Sequence, residues 1–201
     1  MGKGFGGKFV SNTLLYIGGA GLIFAFLLIW LVATYNRFVK LNNRVDESWS
    51  DIDTELRRRY DLIPNLVDVV KGYAAHEKST LEAVINTREQ AIASNGSPAT
   101  QAKDENPLIH ALSKLIALAE SYPQLKADGE FLALQKQLAN TEDRLQTARR
   151  VFNGNTREFN ILIASFPSNI IAHALGFQRK QFFEINRLSE WQTVSSTFPM
   201  H

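Results

Sequence analysis

Apolar positions along this chain fall into two regimes: one continuous block near the N-terminus and, beyond it, stripes that recur every seven residues. From Phe9 to Asn36 no charged residue occurs, and Leu14 to Ala33 is 20 residues of nearly pure apolar character, the length that crosses a bilayer as a helix. From Leu22 to Ile63 there is neither glycine nor proline, although the sequence turns from apolar to heavily charged. That run predicts one unbroken helix, roughly 60 Å long by helical rise, that starts in lipid and continues into water. A cleaved signal peptide is the competing reading, because Lys3 and Lys8 form a basic start. The apolar block is longer than an h-region, and no small-x-small cleavage site follows it.

Beyond the block, Val45, Ile52 and Leu66 share one series interrupted by Arg59, and Trp49, Leu56, Ile63 and Val70 form a second series offset by four. Interleaved series of this kind mark a long helix packed on another helix. The stripe keeps its phase across Pro64, which predicts a kink that frees the carbonyl of Tyr60 and not a turn. A second long helix is predicted from Phe131, Leu138, Leu145, Phe152, Phe159 and Phe166 at strict intervals of seven, with Leu134, Ala148 and Leu162 in the companion seam and Thr141 and Asn155 filling it. Asp128 is its candidate N-cap and Pro167 closes it.

Two shorter helices fit between. One begins at the capping box Ser79-x-x-Glu82, and the other runs from about Leu108 to Tyr122. Either Gly72 or the stretch around His76 separates the first helix from the second. Residues 94–107 are polar and turn-forming and read as a variable loop. No β-type alternation of useful length appears. The fold class is therefore all-α: a single N-terminal transmembrane helix continuous with a long antiparallel helical bundle of coiled-coil character. The expected division is a basic, Gly-rich tail at 1–13, the transmembrane helix at 14–34, the bundle at 35–185 and a C-terminal tail at 186–201.

Composition narrows the function by exclusion. There is no cysteine, so disulfides, thiolate nucleophiles and cysteine-held metals are out, and a formal charge of +2 gives no footprint for nucleic acid. His76, His110, His173 and His201 are scattered. The adjacent His76 and Glu77 point to different helix faces, so no metal, cofactor or catalytic residue is assigned.

Three groups of residues are candidates for contact. Gly18, Gly21 and Ala25 lie on one face of the apolar helix, at the small-residue spacing that lets membrane helices approach. Arg57, Arg58, Arg59 and Asp61 form the densest charge cluster, either a solvated face with intrahelical pairs or a contact with a second copy or partner. Trp30 and Tyr35 sit where an interfacial aromatic belt belongs. The segment Phe166 to Phe183 offers Ile170, Ile171, Leu175, Phe177, Phe182 and Phe183 beside Arg179 and Lys180. Ser168 or Asn169 caps a short helix there that Gly176 ends. This segment either touches lipid at the interface or closes the end of the bundle core.

Several blocks carry a family resemblance: Tyr35-Asn36 through Val45; Trp49-Ser50-x-Ile52-Asp53-x-x-Leu56; Arg58-Arg59-Tyr60-Asp61-Leu62-Ile63-Pro64-Asn65-Leu66-Val67; Lys71-Gly72-Tyr73-Ala74 with His76-Glu77; Tyr122-Pro123-x-Leu125-Lys126; and Phe166-Pro167-Ser168-Asn169 with Gly176-Phe177. In order and spacing they closely resemble the LemA family. The resemblance implies a single-pass bacterial membrane protein with a helical-bundle domain, in the cytoplasmic (inner) membrane, and carries over no catalytic residue. Relatives among proteins of magnetosome membranes imply a part in membrane organisation. The sequence departs from the family pattern at 94–107 and after Glu184.

The expected function is that of a non-enzymatic, self-associating scaffold, with the lipid bilayer and further copies of itself as partners. The alternative is a membrane-anchored adaptor or sensor whose bundle binds another membrane protein. Positive charges flanking the apolar block are balanced, which leaves the side of the bundle undecided.

Overall fold

The structure, a computed structural model, describes residues 5–94 and 96–184, with side chains from Ile17 onward. Six helices follow one another, and no strand occurs among the described residues: α1 (Phe5–Tyr73), α2 (Lys78–Ala93), α3 (Pro98–Ala119), α4 (Pro123–Lys126), α5 (Gly129–Ala164) and α6 (Ser168–Ala174). Helix α1 spans 69 residues without a break, from the apolar block through Pro64 to Tyr73. The expected tail at 1–13 is therefore helical from Phe5, while its first four residues and the C-terminal tail at 186–201 lie outside the described residues.

The chain forms two compact units. One holds residues 44–157 together with residues 180–184. Its core is the seam anticipated from the sequence: Val45, Ile52, Leu56, Ile63, Leu66 and Val70 of α1, and Phe131, Leu134, Leu138, Leu145 and Phe152 of α5, all buried. Helices α1 and α5 run antiparallel here, because Trp49 meets Phe152 and Ser48 bonds Asn155, whereas Arg59 meets Glu142. Burial of such side chains, at about 25 cal/mol per Å² of apolar area, is what holds long helices of modest propensity together. The two remaining seam positions are polar. Thr141 returns its hydroxyl to the Gln137 carbonyl, and Asn155 reaches the Arg44 carbonyl at 3.2 Å.

The other unit takes in α1 as far as Asn43 and residues 158–179. It closes on an aromatic trio, in which Phe177 stacks on Phe38 at 4.8 Å between ring centroids and Phe159 meets both edge-on. Gly176, at φ 75°, lets the chain turn out of α6, and the Phe177 N–H then donates to the Ala172 carbonyl.

Four expectations about local structure are corrected. Residues 94–107 are not one loop. Helix α3 starts at Pro98, with Ser97 as N-cap accepting from the Thr100 N–H, and continues past Pro107. Gly96 is needed just ahead of it, since a Cβ there would lie 2.5 Å from that of Thr100. The Ser79 capping box is not used, because α2 starts at Lys78 with no side-chain cap. Ser168 does not cap α6. Its hydroxyl instead donates to the Leu162 carbonyl at 2.7 Å, one of those left open where α5 ends. Phe166 ends the heptad series only on paper, because α5 stops at Ala164 and leaves Phe166 81% exposed.

Candidate functional site

Arg59 is the one charged residue in the seven-residue series of α1, and the structure shows what holds it there. Its side chain is 1% exposed and forms ion pairs with Glu105 of α3 and with Glu142 of α5, the latter at 3.1 Å. The other Glu105 oxygen accepts from the Tyr60 hydroxyl and from the Gln101 amide, which lies 3.0 Å away. Gln101 also donates to the Ala91 carbonyl in the last turn of α2. One guanidinium thus ties α1 to α3 and α5, and the Glu105 carboxylate ties α1 to α3. Burial works against the Arg59 charge, yet Glu105 and Glu142 outweigh it, so its pKa stands above the ordinary value. Burial, reinforced by Glu105, pushes the Tyr60 hydroxyl well above its ordinary value, so it remains a donor at any physiological pH.

Pro64 belongs to the same arrangement. It has no N–H for the Tyr60 carbonyl four residues earlier, and Arg88 of α2 supplies the missing donor at 2.7 Å. The Arg-Tyr-Asp-Leu-Ile-Pro run therefore carries three docking elements within two turns: Arg59, the Tyr60 hydroxyl and the freed Tyr60 carbonyl.

The contact candidates divide under this geometry. Arg59 is removed from the list, because a fully buried side chain with two internal partners cannot meet another molecule. Arg57 pairs with Asp53 and Arg58 with Glu55 along the exposed helix face, and Asp61 is also exposed. Such surface pairs contribute at most about 1 kcal/mol. Ile171 and Phe183 are removed as lipid contacts. Both are buried, and Phe183 packs against Trp49 while exchanging two hydrogen bonds with Asn153. Phe177 is held in the aromatic trio, and Lys180 is held by Asp46 at 2.6 Å. Phe182 is half-buried in a shallow depression with Ser97, Thr100 and Lys103. Ile170 (61% exposed), Leu175 and Arg179 face outward, as does Tyr35, while Trp30 is half-buried. Gly18 and Gly21 stand open, with nothing beyond the local helix backbone within 4 Å of where a Cβ would be, and Ala25 is exposed.

At the opposite end of α5, Asp128 caps as anticipated, accepting from the N–H groups of Glu130 and Phe131, each at 2.9 Å, and from the Tyr73 hydroxyl at 2.8 Å. These bonds, that of the Phe131 N–H foremost, hold the Asp128 carboxyl below its ordinary range. The Tyr73 hydroxyl is raised by the same bond. Among the described residues, no group of three or more histidines and carboxylates is placed to hold a metal ion.

Gln101 and Glu105 were hidden by the reading of 94–107 as a loop. The signal that reveals them is Ser97-Pro98, an N-cap followed by proline at the first helical position, after which Gln101, Glu105, Leu108 and Leu112 fall on one face.

The sequence model of the LemA family matches residues 48–198, so the match starts after the Tyr35–Val45 block and includes most of the segment past Glu184 that had been set apart. Magnetosome protein MamQ 2 of Paramagnetospirillum magneticum is 26% identical over 179 residues, covering 77% of this chain and 66% of that one. Magnetosome protein MamQ of Magnetospirillum gryphiswaldense is 25% identical over 178 residues, covering 76% and 65%. Protein LemA of Metamycoplasma hominis is 23% identical over 157 residues, covering 78% and 72%. The chain thus spans just under two thirds of the length of the MamQ proteins. With a family match over most of its length, a sequence carrying the Arg59–Pro64 docking run on one long helix belongs to the LemA family.

Proposed function

We propose that this protein is a single-pass membrane scaffold of the bacterial inner membrane, without enzymatic activity, that associates with copies of itself and thereby organises or shapes the bilayer. The observation that carries the reading is the apolar run of α1. It is long and apolar enough to cross a membrane, none of it is buried, and Ile17, Leu22, Ile23, Phe24, Phe26 and Ile29 project with more than 60% of their surface exposed. An apolar stretch of that length exposed on all sides is stable only in lipid or against other helices. Gly18, Gly21 and Ala25 leave its small-residue face open to a second helix. Relatives named as magnetosome proteins fit a role in organising membrane.

The test is the mass of the full chain in detergent and in nanodiscs, measured by light scattering. A discrete oligomer that dissociates in the Gly18→Ile, Gly21→Ile double variant supports the scaffold. A monomer in both media overturns self-association and favours the adaptor reading, which capture of a defined membrane partner would then establish.

A further inference from the structure

We propose that the corner between α5 and α6 is a second membrane contact, with Phe166, Ile170 and Leu175 seated in the lipid interface next to the helix that crosses it. The inference rests on the anchoring of α1 in a bilayer and extends it to a part of the chain more than 120 residues later in sequence. Both segments belong to one compact unit, and the Phe38–Phe159 contact fixes their levels against each other. From that contact α1 runs back toward its N-terminus without a charged residue from Asn36 to Phe9, and the antiparallel α5, followed by α6, runs on toward the C-terminus without Asp, Glu, Lys or Arg from Phe159 to Gln178. The two charge-free stretches therefore lie on the same side of the aromatic trio.

Exposure on that side is not what water selects. Phe166 is 81% exposed, Ile170 61%, Ile161 57% and Leu175 52%, while Ser168, Ile171 and Ala172 form the inward face of α6. The outward face of α6 is Ile170, His173 and Ala174, apolar except for one imidazole. Charge returns only at the level of the trio, with exposed Arg37, Lys40, Glu158 and Arg179, three cations to one carboxylate. Apolar side chains below a mainly cationic rim are the arrangement of an interfacial lipid contact. Continuity with the apolar face of α1 selects the bilayer as the occupant.

Because the chain has no cysteine, single labelled positions report unambiguously. An environment-sensitive fluorophore is attached to Leu28→Cys, Phe166→Cys, Ile170→Cys and Leu132→Cys variants of the full chain, each held at one copy per nanodisc, and quenching by brominated phosphatidylcholine is read. The proposal expects labels at 166 and 170 to lose emission as the label at 28 does, while the label at 132, exposed on α5 in the other unit, keeps it. Quenching at 28 with full emission at both 166 and 170 overturns the second contact and leaves the anchor standing. Full emission at 28 overturns both. Shielding of 166 and 170 that requires two copies per disc and no brominated lipid assigns the face to a second copy and likewise overturns the proposal.

Discussion

The two units of this protein solve opposite problems with the same helices. In the unit that holds residues 44–157, charge is taken inside: Arg59 and Glu105 are buried and paired, and the surface of α1 is laced with pairs such as Arg57–Asp53. In the unit formed by the start of α1 and residues 158–179, aromatic rings fill the interior, and the outside is apolar along α1 and again at Phe166 and Ile170. The difference teaches that heptad continuity does not define an environment. Phe152, Phe159 and Phe166 are consecutive members of one series, and only the first two are core residues.

The largest effect should come from unpairing the buried charge. Arg59→Met leaves Glu105 without its cation and is expected to destabilise the bundle by about 3–5 kcal/mol, read by urea unfolding of the protein in micelles. The Arg59→Met, Glu105→Leu double variant should recover much of that loss, since removing both ions leaves neither desolvated alone. A single variant within experimental error of the parent would show that the cluster is not closed to water.

Next is a contrast along the heptad series itself. Phe152→Ala should cost about 3–5 kcal/mol through the cavity it leaves, whereas Phe166→Ala should stay within about 0.5 kcal/mol in micelles. Equal losses at the two positions would erase the distinction between the units.

A smaller effect isolates Pro64. Arg88→Ala strips the donor from the Tyr60 carbonyl and should cost about 1 kcal/mol. In a Pro64→Ala background α1 regains its own N–H for that carbonyl, so the same Arg88→Ala change should cost measurably less. Additive losses would mean that Arg88 acts elsewhere.

The smallest effect is one of pH. The Asp128 carboxyl is held below its ordinary range by the Phe131 N–H, then by the Tyr73 hydroxyl. A depressed folded pKa means that its contribution is complete above the unfolded value, near 4, and is lost as pH falls through the folded one. Amide exchange at Glu130 to Leu132, corrected for intrinsic rate, should therefore accelerate only below about pH 4, and Tyr73→Phe should move the onset upward. Exchange indifferent to pH would exclude Asp128 as the working cap.

Much of this fold was legible in the sequence because helix packing writes itself as periodicity. The seven-residue series located the α1 and α5 seams, the uninterrupted run predicted a single helix from the apolar block onward, and Asp128 announced its cap. Prolines carried two kinds of information. Pro64 was readable as a kink, because apolar phase persists across it. Pro98 and Pro107 in a polar setting masked α3, and with it Gln101 and Glu105. Arg59 itself was visible as an interruption, but its partners lie 46 and 83 residues away, a separation no local pattern encodes. The Phe166–Phe183 segment was ambiguous for a physical reason: apolar side chains suit a core and a lipid interface alike. Burial splits it, giving Ile171 and Phe183 to the interior and leaving Phe166 and Ile170 outside.

The measurement that tests the account most directly is a scan with a water-soluble maleimide on the full chain in lipid vesicles opened to reagent on both faces, using single cysteines at Ile29, Tyr35, Lys40, Val151, Ile161, Phe166 and Ile170. The account predicts fast labelling at Lys40 and Val151, with protection at Ile29, Ile161, Phe166 and Ile170 in one-copy vesicles, so that a single boundary crosses both α1 and α5 near the Phe38–Phe159 contact. Protection confined to α1, with Ile161, Phe166 and Ile170 labelled as fast as Val151, would contradict it.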